Sequence, residues 1–478
     1  MAQVLEDKDK KETEKHILTV FLTTNNTYLT NYMERKRIYL CLAHMSEAGL
    51  EQKYIKEAFD TNWVVPLGPN VNGFEADLEK FVGQDKRVVA LSSGTAAVHL
   101  GLLSAGVKAG EEVLVQSFTF CASTHPITYL GATPIMIDSE PDTWNIDPEL
   151  LEEAIKDRIA KTGKKPAAIV PVALYGMPYK ADKIMEIANR YGIPVVEDAA
   201  EGFGSKFNGQ VLGTFGKYGV LSFNGNKMIT TSGGGALITE NEGEWREIMM
   251  YATQYRESYP YYQHEKIGYN YRMSNICAGI GRGQMTVVND HLEHHKHVQK
   301  IYEELLAGVP GITVHSQPVQ GSGFKVQGVE VPMYDSNYWL CTITIDENVR
   351  IKGQENAYKT IVKGAVGGAA GVIHIADSAH TDCEPNANVE ALRVLMDQAG
   401  IEARPVWKPM HKQPCYRKGS RLMVQGEGFY CETFDNSVAY VNGVSESIFK
   451  IGMCLPAGPY VTDEDVRYIV DTIKSAIE

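Results

Sequence analysis

The stretch LSFNGNKMITTSGGG, residues 221–235, places one lysine between two apolar runs. Lys227 follows a polar turn and precedes threonine, serine and three glycines. A lysine amine that has lost its proton can attack a carbonyl group, and burial or nearby cations favour that loss. We therefore expect a catalytic Lys227 to be buried and close to other cations. Because a lone turn lysine is more often a solvated surface residue, the rest of the chain has to decide between the two.

A possible anion site lies upstream of Lys227. An apolar strand at 88–91 runs into SSGT, residues 92–95, and an apolar helix follows at 96–105. Such a turn offers hydroxyls, backbone N–H groups and the positive end of a helix dipole, which suit a phosphate. A simple helix N-cap explains the same residues equally well.

Strand-like and helix-like segments alternate from residue 88 to residue 240. This alternation predicts an α/β fold with a large, mostly parallel sheet and helices on both faces. Ligands of such sheets bind beyond the carboxyl ends of the strands. The SSGT turn, Asp198 and Ser222 to Lys227 all stand at or just after predicted strand ends. They are therefore expected to meet.

Asp198, in the run IPVVEDAAE, ends one of these strands. An acid at this place could cap a helix or bind a metal. No carboxylate cluster or histidine pair at ligand spacing accompanies it. A carboxylate facing a pyridinium nitrogen would keep that nitrogen protonated, so that the ring acts as an electron sink.

We predict three regions. Residues 1–36 are charged and polar without a clear period, and form an N-terminal extension that is disordered or reflects a start-site choice, with translation starting at Met33. Residues 37–300 form the large domain. Residues 301–478 form a smaller C-terminal α/β domain, with a Gly/Ala-rich insertion near 352–385.

Composition excludes several classes of protein. The formal net charge of −13 disfavours bulk nucleic-acid binding. No apolar run approaches the roughly 20 residues of a membrane span. The eight cysteines form no CxxC pair, which favours reduced cytoplasmic thiols over zinc or disulfides. HLEHHKH, residues 291–297, has metal-like spacing, but we expect a solvated helix face and no metal site. The tyrosine-rich residues 249–275 indicate a subunit contact, a ligand wall or both.

Six ordered motifs resemble one family: SSGTAA, EDAAE, SFNGNK, SGGGAL, GYNYRMS and ARPVWKPMH. The sequence is similar to the DegT/DnrJ/EryC1/StrS sugar aminotransferases, which use pyridoxal 5'-phosphate and have the type I fold of PLP-dependent transferases. The resemblance implies that Lys227 is the Schiff-base lysine and that Asp198 pairs with the pyridine nitrogen. It further implies cofactor contacts for a second set of residues, namely Gly94, Thr95, Phe120, Glu201, Ser222 and Asn270.

In the resemblance, Gly94, Thr95 and Ser222 hold the phosphate and Phe120 stacks on the ring. Glu201 stands near the ring hydroxyl, where many relatives have glutamine or histidine. Asn270 would reach the phosphate of the neighbouring subunit, which implies a homodimer with shared active sites. Arg272 and His411 fall in segments that line the substrate entrance.

The resemblance implies a transaminase that moves an amino group from L-glutamate to a nucleotide-linked keto sugar, most closely a UDP-4-keto-6-deoxy-N-acetylhexosamine of the bacillosamine type. Such an enzyme would be cytoplasmic and serve cell-surface glycan or polysaccharide synthesis. The presence of Lys227 argues against the sugar dehydratases of this family. Two alternatives remain open. One is a lyase or aminotransferase for another keto sugar or a small amino acid, and the other is a non-enzymatic regulator that retains the fold.

Overall fold

The computed structural model describes residues 36–83, 85–319, 325–326, 329–358, 384–416 and 438–478. The start-site hypothesis at Met33 and most of the predicted insertion lie outside the described residues. Within the described residues, no helix is long and apolar enough to cross a membrane.

The strands, numbered along the chain, have the following bounds: β1 (Arg87–Leu91), β2 (Glu112–Gln116), β3 (Thr133–Ile137), β4 (Ala168–Val170), β5 (Val196–Asp198), β6 (Lys206–Phe207), β7 (Gln210–Val211), β8 (Tyr218–Ser222), β9 (Gly235–Thr239), β10 (Ile312–Val314), β11 (Lys325–Val326), β12 (Val329–Glu330), β13 (Tyr334–Asp335), β14 (Cys341–Ile345), β15 (Arg404–Pro405), β16 (Val438–Tyr440) and β17 (Gly452–Leu455).

The α-helices are numbered in the same way: α1 (Leu50–Asp60), α2 (Pro69–Val82), α3 (Gly94–Ser104), α4 (His125–Tyr129), α5 (Pro148–Thr162), α6 (Ala181–Tyr191), α7 (Glu242–Ala252), α8 (Asn275–Met285), α9 (Val288–Leu306), α10 (Ala387–Gln398), α11 (Val444–Ile451) and α12 (Asp463–Ala476).

One large sheet organises the chain, in the order β16-β3-β2-β4-β5-β8-β9-β1. Its two four-stranded halves join through parallel bridges from Ile169 to Val195 and from Val172 to Asp198. Only β9 runs antiparallel to its neighbours in this sheet. The mostly parallel α/β sheet predicted from the alternating pattern is therefore confirmed. Its inner parallel strands are buried on both faces, as such sheets require, whereas the edge strand β16 is partly exposed.

Local sequence explains where the helices next to this sheet begin. Ser93 caps α3, because its hydroxyl accepts a hydrogen bond from the Ala96 N–H at 3.0 Å. The helix before β1, α2, begins at Pro69 within a GPN segment. Proline at the first helical position loses no hydrogen bond, so the GPN segment starts this helix instead of breaking it.

A second, antiparallel sheet has the order β10-β14-β17-β15. It shares a separate apolar core with α9, α10 and α12. The C-terminal segment nevertheless contributes β16 to the edge of the large sheet, where Val438 pairs in parallel with Ile135. The two sheets are thus tied together by the chain beyond residue 300, and the boundary at that residue stays a prediction.

The histidine-rich part of α9 differs from the solvated face that we expected. His291 and His295 are buried, and their Nδ1 atoms lie 3.1 and 3.0 Å from the carbonyls of Met228 and Tyr338. Burial lowers the pKa of His295 to about 3. Helix α9 packs against both apolar cores, so residues on more than one of its faces are buried. A charge pattern alone does not indicate this. Within the described ranges, no three His, Cys, Asp or Glu side chains lie together as a metal site would need.

Glu197, in β5, gives a stability prediction. Its carboxylate is fully buried, and burial raises its pKa from about 4.5 to about 7, against hydrogen bonds from the backbone of the loop that follows β7. The folded protein therefore holds a proton there that the unfolded chain releases above pH 4.5, so stability falls as pH rises from 4.5 to 7. We expect Glu197→Gln to remove about 3 kcal/mol of this decline.

The measurement is the melting temperature of wild type and Glu197→Gln from pH 5 to pH 8, at one protein and one cofactor concentration. The two curves should converge at low pH and separate toward pH 8, with the variant more stable. Other buried carboxylates titrate in both proteins, so the difference between the curves isolates Glu197. Parallel curves would show that Glu197 is ionised throughout.

Candidate active site

The carboxyl ends of β1, β5 and β8 open into one cavity of about 320 Å³. Seven of the residues singled out in the sequence line it, namely Gly94, Thr95, Phe120, Asp198, Glu201, Ser222 and Lys227. The meeting expected of the SSGT turn, Asp198 and the 222–227 segment therefore occurs, and it follows from the parallel order of the strands.

The anion end of the cavity is formed by the first turn of α3 and the end of β8. The N–H groups of a first helical turn have no partner within the helix, and the helix dipole makes them attractive to an anion. A Cβ atom added to Gly94 would lie 3.0 Å from the Ser222 Cβ and 3.2 Å from its Oγ. A Cβ added to Gly235 would lie 2.4 Å from the Gly94 nitrogen. Glycine is thus needed at both places for β8, β9 and this turn to pack so closely.

Asp198 lies at the deep end of the cavity, at the last position of β5. Its carboxylate accepts hydrogen bonds from the Ser123 hydroxyl at 2.6 Å and from the Ala200 N–H at 3.1 Å. Burial raises the pKa of Asp198, and these two hydrogen bonds and the charge of Lys227 act against that rise. The carboxylate is therefore fixed in direction and would be stabilised further by a cationic group facing it.

Lys227 points inward, with 12% of its side chain exposed. Its Nζ lies 3.4 Å from the Glu201 Oε1 and 3.9 Å from the centre of the Trp339 ring. The amine therefore lies between a carboxylate and an indole face. The lysine is thus part-buried, with its side chain largely enclosed, but the expectation of neighbouring cations is wrong, because the charged side chains facing it among the described residues are acidic.

Glu201 is held rigidly beside this lysine. Its Oε2 accepts a hydrogen bond from the Tyr175 N–H at 2.8 Å, and Tyr175 has a left-handed backbone with φ 55°. Burial raises the pKa of Glu201, whereas the charge of Lys227 and the Tyr175 N–H lower it. The Asn337 side chain also donates to the Glu201 carbonyl at 2.9 Å. Tyr175 and Lys227 thus contact the carboxylate, and Asn337 fixes the backbone that carries it.

The charges of the cavity suit a particular kind of ligand. Two buried carboxylates, Asp198 and Glu201, face a single ammonium, Lys227, which leaves excess negative charge at the deep end. The opposite end offers a helix N-terminus to an anion, and Phe120 adds an apolar ring that is 50% exposed. A flat ring with a protonated nitrogen, an aldehyde and a phosphate matches this donor set. The residues present thus fit pyridoxal 5'-phosphate.

Three residues named from the sequence lie outside the cavity of their own chain. Asn270 is exposed, in a bridge with Thr253. Arg272 is 8% exposed, and its guanidinium forms a bidentate ion pair with Glu75 and donates to the Ala90 carbonyl at 2.9 Å. These donors join α2 to β1, and the substrate-entrance role expected of Arg272 stays a prediction.

His411 is also turned away from the cavity, with 7% of its side chain exposed. Its Nδ1 lies 2.7 Å from the Ser117 Oγ and its Nε2 lies 3.1 Å from the Glu446 Oε1. Both ring nitrogens therefore have protein partners, and the expectation that His411 lines the substrate entrance stays a prediction. Trp407, four residues earlier, lines the cavity instead.

Sequence reasoning missed several neighbours of the reactive groups. Ser123 orients Asp198, Trp339 lies over Lys227, and Tyr175 holds Glu201. Ser123 lies in SFTFCAS and could have been predicted to contact the site, because a hydroxyl three residues after Phe120 lies in the same turn. Trp339 and Tyr175 come from distant segments, and no local pattern marks them.

The fold and the cavity define an enzyme that uses a lysine and an aldehyde cofactor for amino-group chemistry. The chain belongs to the DegT/DnrJ/EryC1/StrS aminotransferase family, whose model matches residues 46–367. It is a PLP-dependent aminotransferase of the sugar-modifying kind, with the type I fold that the resemblance implied.

The relatives and solved structures agree with this assignment. The chain is 38% identical to EpsN of Bacillus subtilis (strain 168), provisionally classed as a pyridoxal phosphate-dependent aminotransferase, over 92% of this chain and 95% of EpsN. It is 30% identical to the GDP-perosamine synthase of Caulobacter vibrioides, over 90% and 96% of the two chains. A Brucella abortus aminotransferase of the same family superposes with a TM-score of 0.70 at 23% identity, covering 90% of this chain and 95% of that one.

Proposed function

We propose that this aminotransferase moves the amino group of L-glutamate to a nucleotide-linked 4-keto-6-deoxy-N-acetylhexosamine carried by UDP. The observation that carries the proposal is the convergence of Lys227, Asp198 and the Gly94 turn on one cavity. The product would be a 4-amino sugar for cell-surface glycans, made in the cytoplasm.

The residues divide the work as follows. Gly94, Thr95 and Ser222 would hold the phosphate, Phe120 would cover one face of the ring, and Asp198 would keep the proton on the ring nitrogen. When bound, the cofactor supplies an electrophilic carbon for the amine and an electron sink for the carbanion. Lys227 would take up the proton of the donor carbon at its Nζ and give it back during the transfer.

Glu201 supports this proton transfer. Its carboxylate lies 3.4 Å from the Lys227 Nζ, within reach of the proton that the lysine takes up. The same contact keeps the Nζ directed toward the cavity while the amino group is passed on. Glu201 also stands where a ring hydroxyl of the cofactor would be expected.

A GDP-linked keto sugar is the second candidate, and the 30% identity to a GDP-perosamine synthase favours it. The experiment that separates the two is incubation of the purified enzyme with L-glutamate and a panel of UDP- and GDP-linked 4-keto sugars, read by mass. Conversion of the ketone C=O to CH–NH2 in the UDP-linked N-acetyl sugar alone would support the proposal. Conversion of the GDP sugar alone would favour the second candidate, and amination of free keto acids alone would refute both.

A homodimer with shared sites accounts for two surface features. Asn270 is exposed although its motif belongs to the cofactor site. The loop of residues 63–67 exposes Trp63 and Leu67, while the Asn275 backbone and side chain bond the Val65 and Trp63 carbonyls at 2.9 Å. An apolar loop held this firmly in an exposed position suits a second copy of the chain.

Mixed dimers test the shared site. We expect co-expressed Lys227→Ala and Asn270→Asp chains, each inactive as a homodimer, to regain activity. The hybrid holds one site with an intact Lys227 from one chain and an intact Asn270 from the other. The activity of isolated hybrids should approach half that of wild type. Inactive hybrids would place Asn270 in the site of its own chain.

Gly94→Ala tests the phosphate end. The new Cβ, 3.0 Å from the Ser222 Cβ, has to displace either the serine or the turn, so we expect the dissociation constant for pyridoxal 5'-phosphate to rise about tenfold. Gly233→Ala is the matched control, because a Cβ there meets no atom within 4 Å in the same cavity. Equal affinities for the two variants, measured by equilibrium dialysis, would contradict this assignment.

A further inference from the structure

A second cavity of about 340 Å³ lies next to the cofactor cavity. Thr119, Phe120 and Trp407 line both of them. The rings of Phe120 and Trp407 have their centres 5.7 Å apart and therefore form the wall between the two spaces. The position of Trp407 decides how far the cavities communicate.

Trp407 is held by its backbone and not by its indole nitrogen. The backbone N–H of Trp407 donates to the Tyr175 Oη at 2.7 Å, and the centres of the Trp407 and Tyr175 rings are 5.8 Å apart. The buried Nε1 has no acceptor within the part of the chain that the structure describes. The segment that follows Trp407 must therefore supply much of its anchoring.

That segment is fastened to Ser117, at the end of β2. The Met410 N–H donates to the Ser117 carbonyl at 2.7 Å, and the His411 N–H donates to the Ser117 Oγ at 3.2 Å. The Ser117 hydroxyl has its own proton left to donate, and the His411 Nδ1 lies 2.7 Å away. One fully buried serine thus makes three of the contacts that hold the loop.

The opposite side of the His411 ring is fixed by α11. With Nδ1 accepting from Ser117, Nε2 carries the proton and donates to the Glu446 Oε1 at 3.1 Å. The other oxygen of Glu446 pairs with the Lys412 Nζ at 3.1 Å. Burial would raise the pKa of Glu446, but the hydrogen bonds of His411 and Lys412 outweigh it and lower that pKa. Glu446 is thus a charged end point of the chain of hydrogen bonds.

We propose that Ser117, His411 and Glu446 form a positioning relay that holds Trp407 as the wall between the two cavities and thereby sets the affinity for the nucleotide-sugar acceptor. This inference rests on the proposed function, from which it takes the nucleotide sugar as the substrate. Ser117 and His411 are too deeply buried to touch that substrate, so they act through Trp407.

The size of the cofactor cavity explains why displacement of Trp407 affects binding of the nucleotide-sugar acceptor and not of the glutamate donor. Ligand pockets span roughly 300–1,000 Å³, and the cofactor cavity stands at the small end of that range. Glutamate is small enough to react there beside the cofactor. A nucleotide sugar, with its diphosphate and base, must extend outward past the wall that Trp407 forms. Displacement of Trp407 therefore weakens binding of the nucleotide sugar more than binding of glutamate.

The test compares Ser117→Ala, Glu446→Gln, Trp407→Phe and the double variant Ser117→Ala/Trp407→Phe in the cofactor-loaded dimer. We expect Ser117→Ala to raise KM for the nucleotide sugar about tenfold, with the single-turnover rate of the glutamate half-reaction changed less than twofold. Adding Ser117→Ala to Trp407→Phe should then raise KM less than twofold further, because the serine acts through the tryptophan. Glu446→Gln keeps an oxygen acceptor for His411 and should cause the smaller KM rise.

A second readout needs no substrate. The tryptophan emission of Ser117→Ala, corrected with Trp407→Phe, should be quenched more strongly by acrylamide than that of wild type. This result would stand even if the sugar panel showed no amination, so failure of the relay and failure of the proposed function are distinguishable. Unchanged quenching, fully additive KM effects or equal losses in both half-reactions would each overturn the relay.

Discussion

Lys227→Ala is expected to lower turnover by about 10³-fold or more, because in the proposed function the lysine both binds the cofactor aldehyde and moves the proton. Its Nζ is directed into the cavity by Glu201 and Trp339, and no other lysine lines that cavity among the described residues. Neither function can therefore pass to a neighbouring side chain. The measurement is the rate of amino transfer from L-glutamate at saturating cofactor.

A covalent readout complements the rate. Borohydride reduction of the loaded wild type should fix the cofactor on the peptide that contains Lys227, as a mass increase, and Lys227→Ala should show no such adduct. Lys217→Ala is the matched control, because Lys217 is exposed in the segment just before β8 and pairs with Glu244. Turnover of Lys227→Ala within tenfold of wild type would refute the assignment of the catalytic lysine.

Much of the fold could be predicted from the sequence, because the alternation of strands and helices is a local pattern. Alternating apolar strands and helices from residue 88 to residue 240 fix a mostly parallel sheet, and parallel strands bring their carboxyl ends to one edge. Asp198 and Ser222 meet the Gly94 turn for that reason alone. The strand β16 could not be foreseen, since its three residues lie far from β3 in the sequence and carry no signal of the sheet edge that they extend.

The surroundings of the reactive groups were less predictable for a related reason. Lys227 was expected among cations, yet its neighbours Glu201 and Trp339 come from positions 26 residues earlier and 112 residues later. Motif position identified Arg272 and His411 but not the direction of their side chains. Direction depends on partners such as Glu75 and Glu446, which stand in segments that no motif links to them.

Arg272→Met is expected to lower the free energy of unfolding by about 3–5 kcal/mol while leaving KM for the nucleotide sugar within twofold of wild type. The substitution removes the bidentate partner of Glu75 and strands a buried carboxylate between α2 and β1. Urea unfolding at fixed protein and cofactor concentrations measures the loss. An unchanged urea midpoint together with a raised KM for the nucleotide sugar would show that Arg272 acts at the substrate entrance and not in stabilising the fold.

The double variant Glu75→Gln/Arg272→Met decides whether the loss comes from the stranded charge. Without the carboxylate, no uncompensated charge remains, so the double variant should be more stable than Arg272→Met alone. The loss should also depend on pH. Burial already raises the pKa of Glu75, and the charge and hydrogen bonds of Arg272 oppose that rise, so Arg272→Met raises the pKa further. A carboxyl whose pKa is raised on folding destabilises the protein increasingly as pH rises above its unfolded value. Arg272→Met should therefore lose less stability at pH 6 than at pH 8, whereas the double variant should show no such difference.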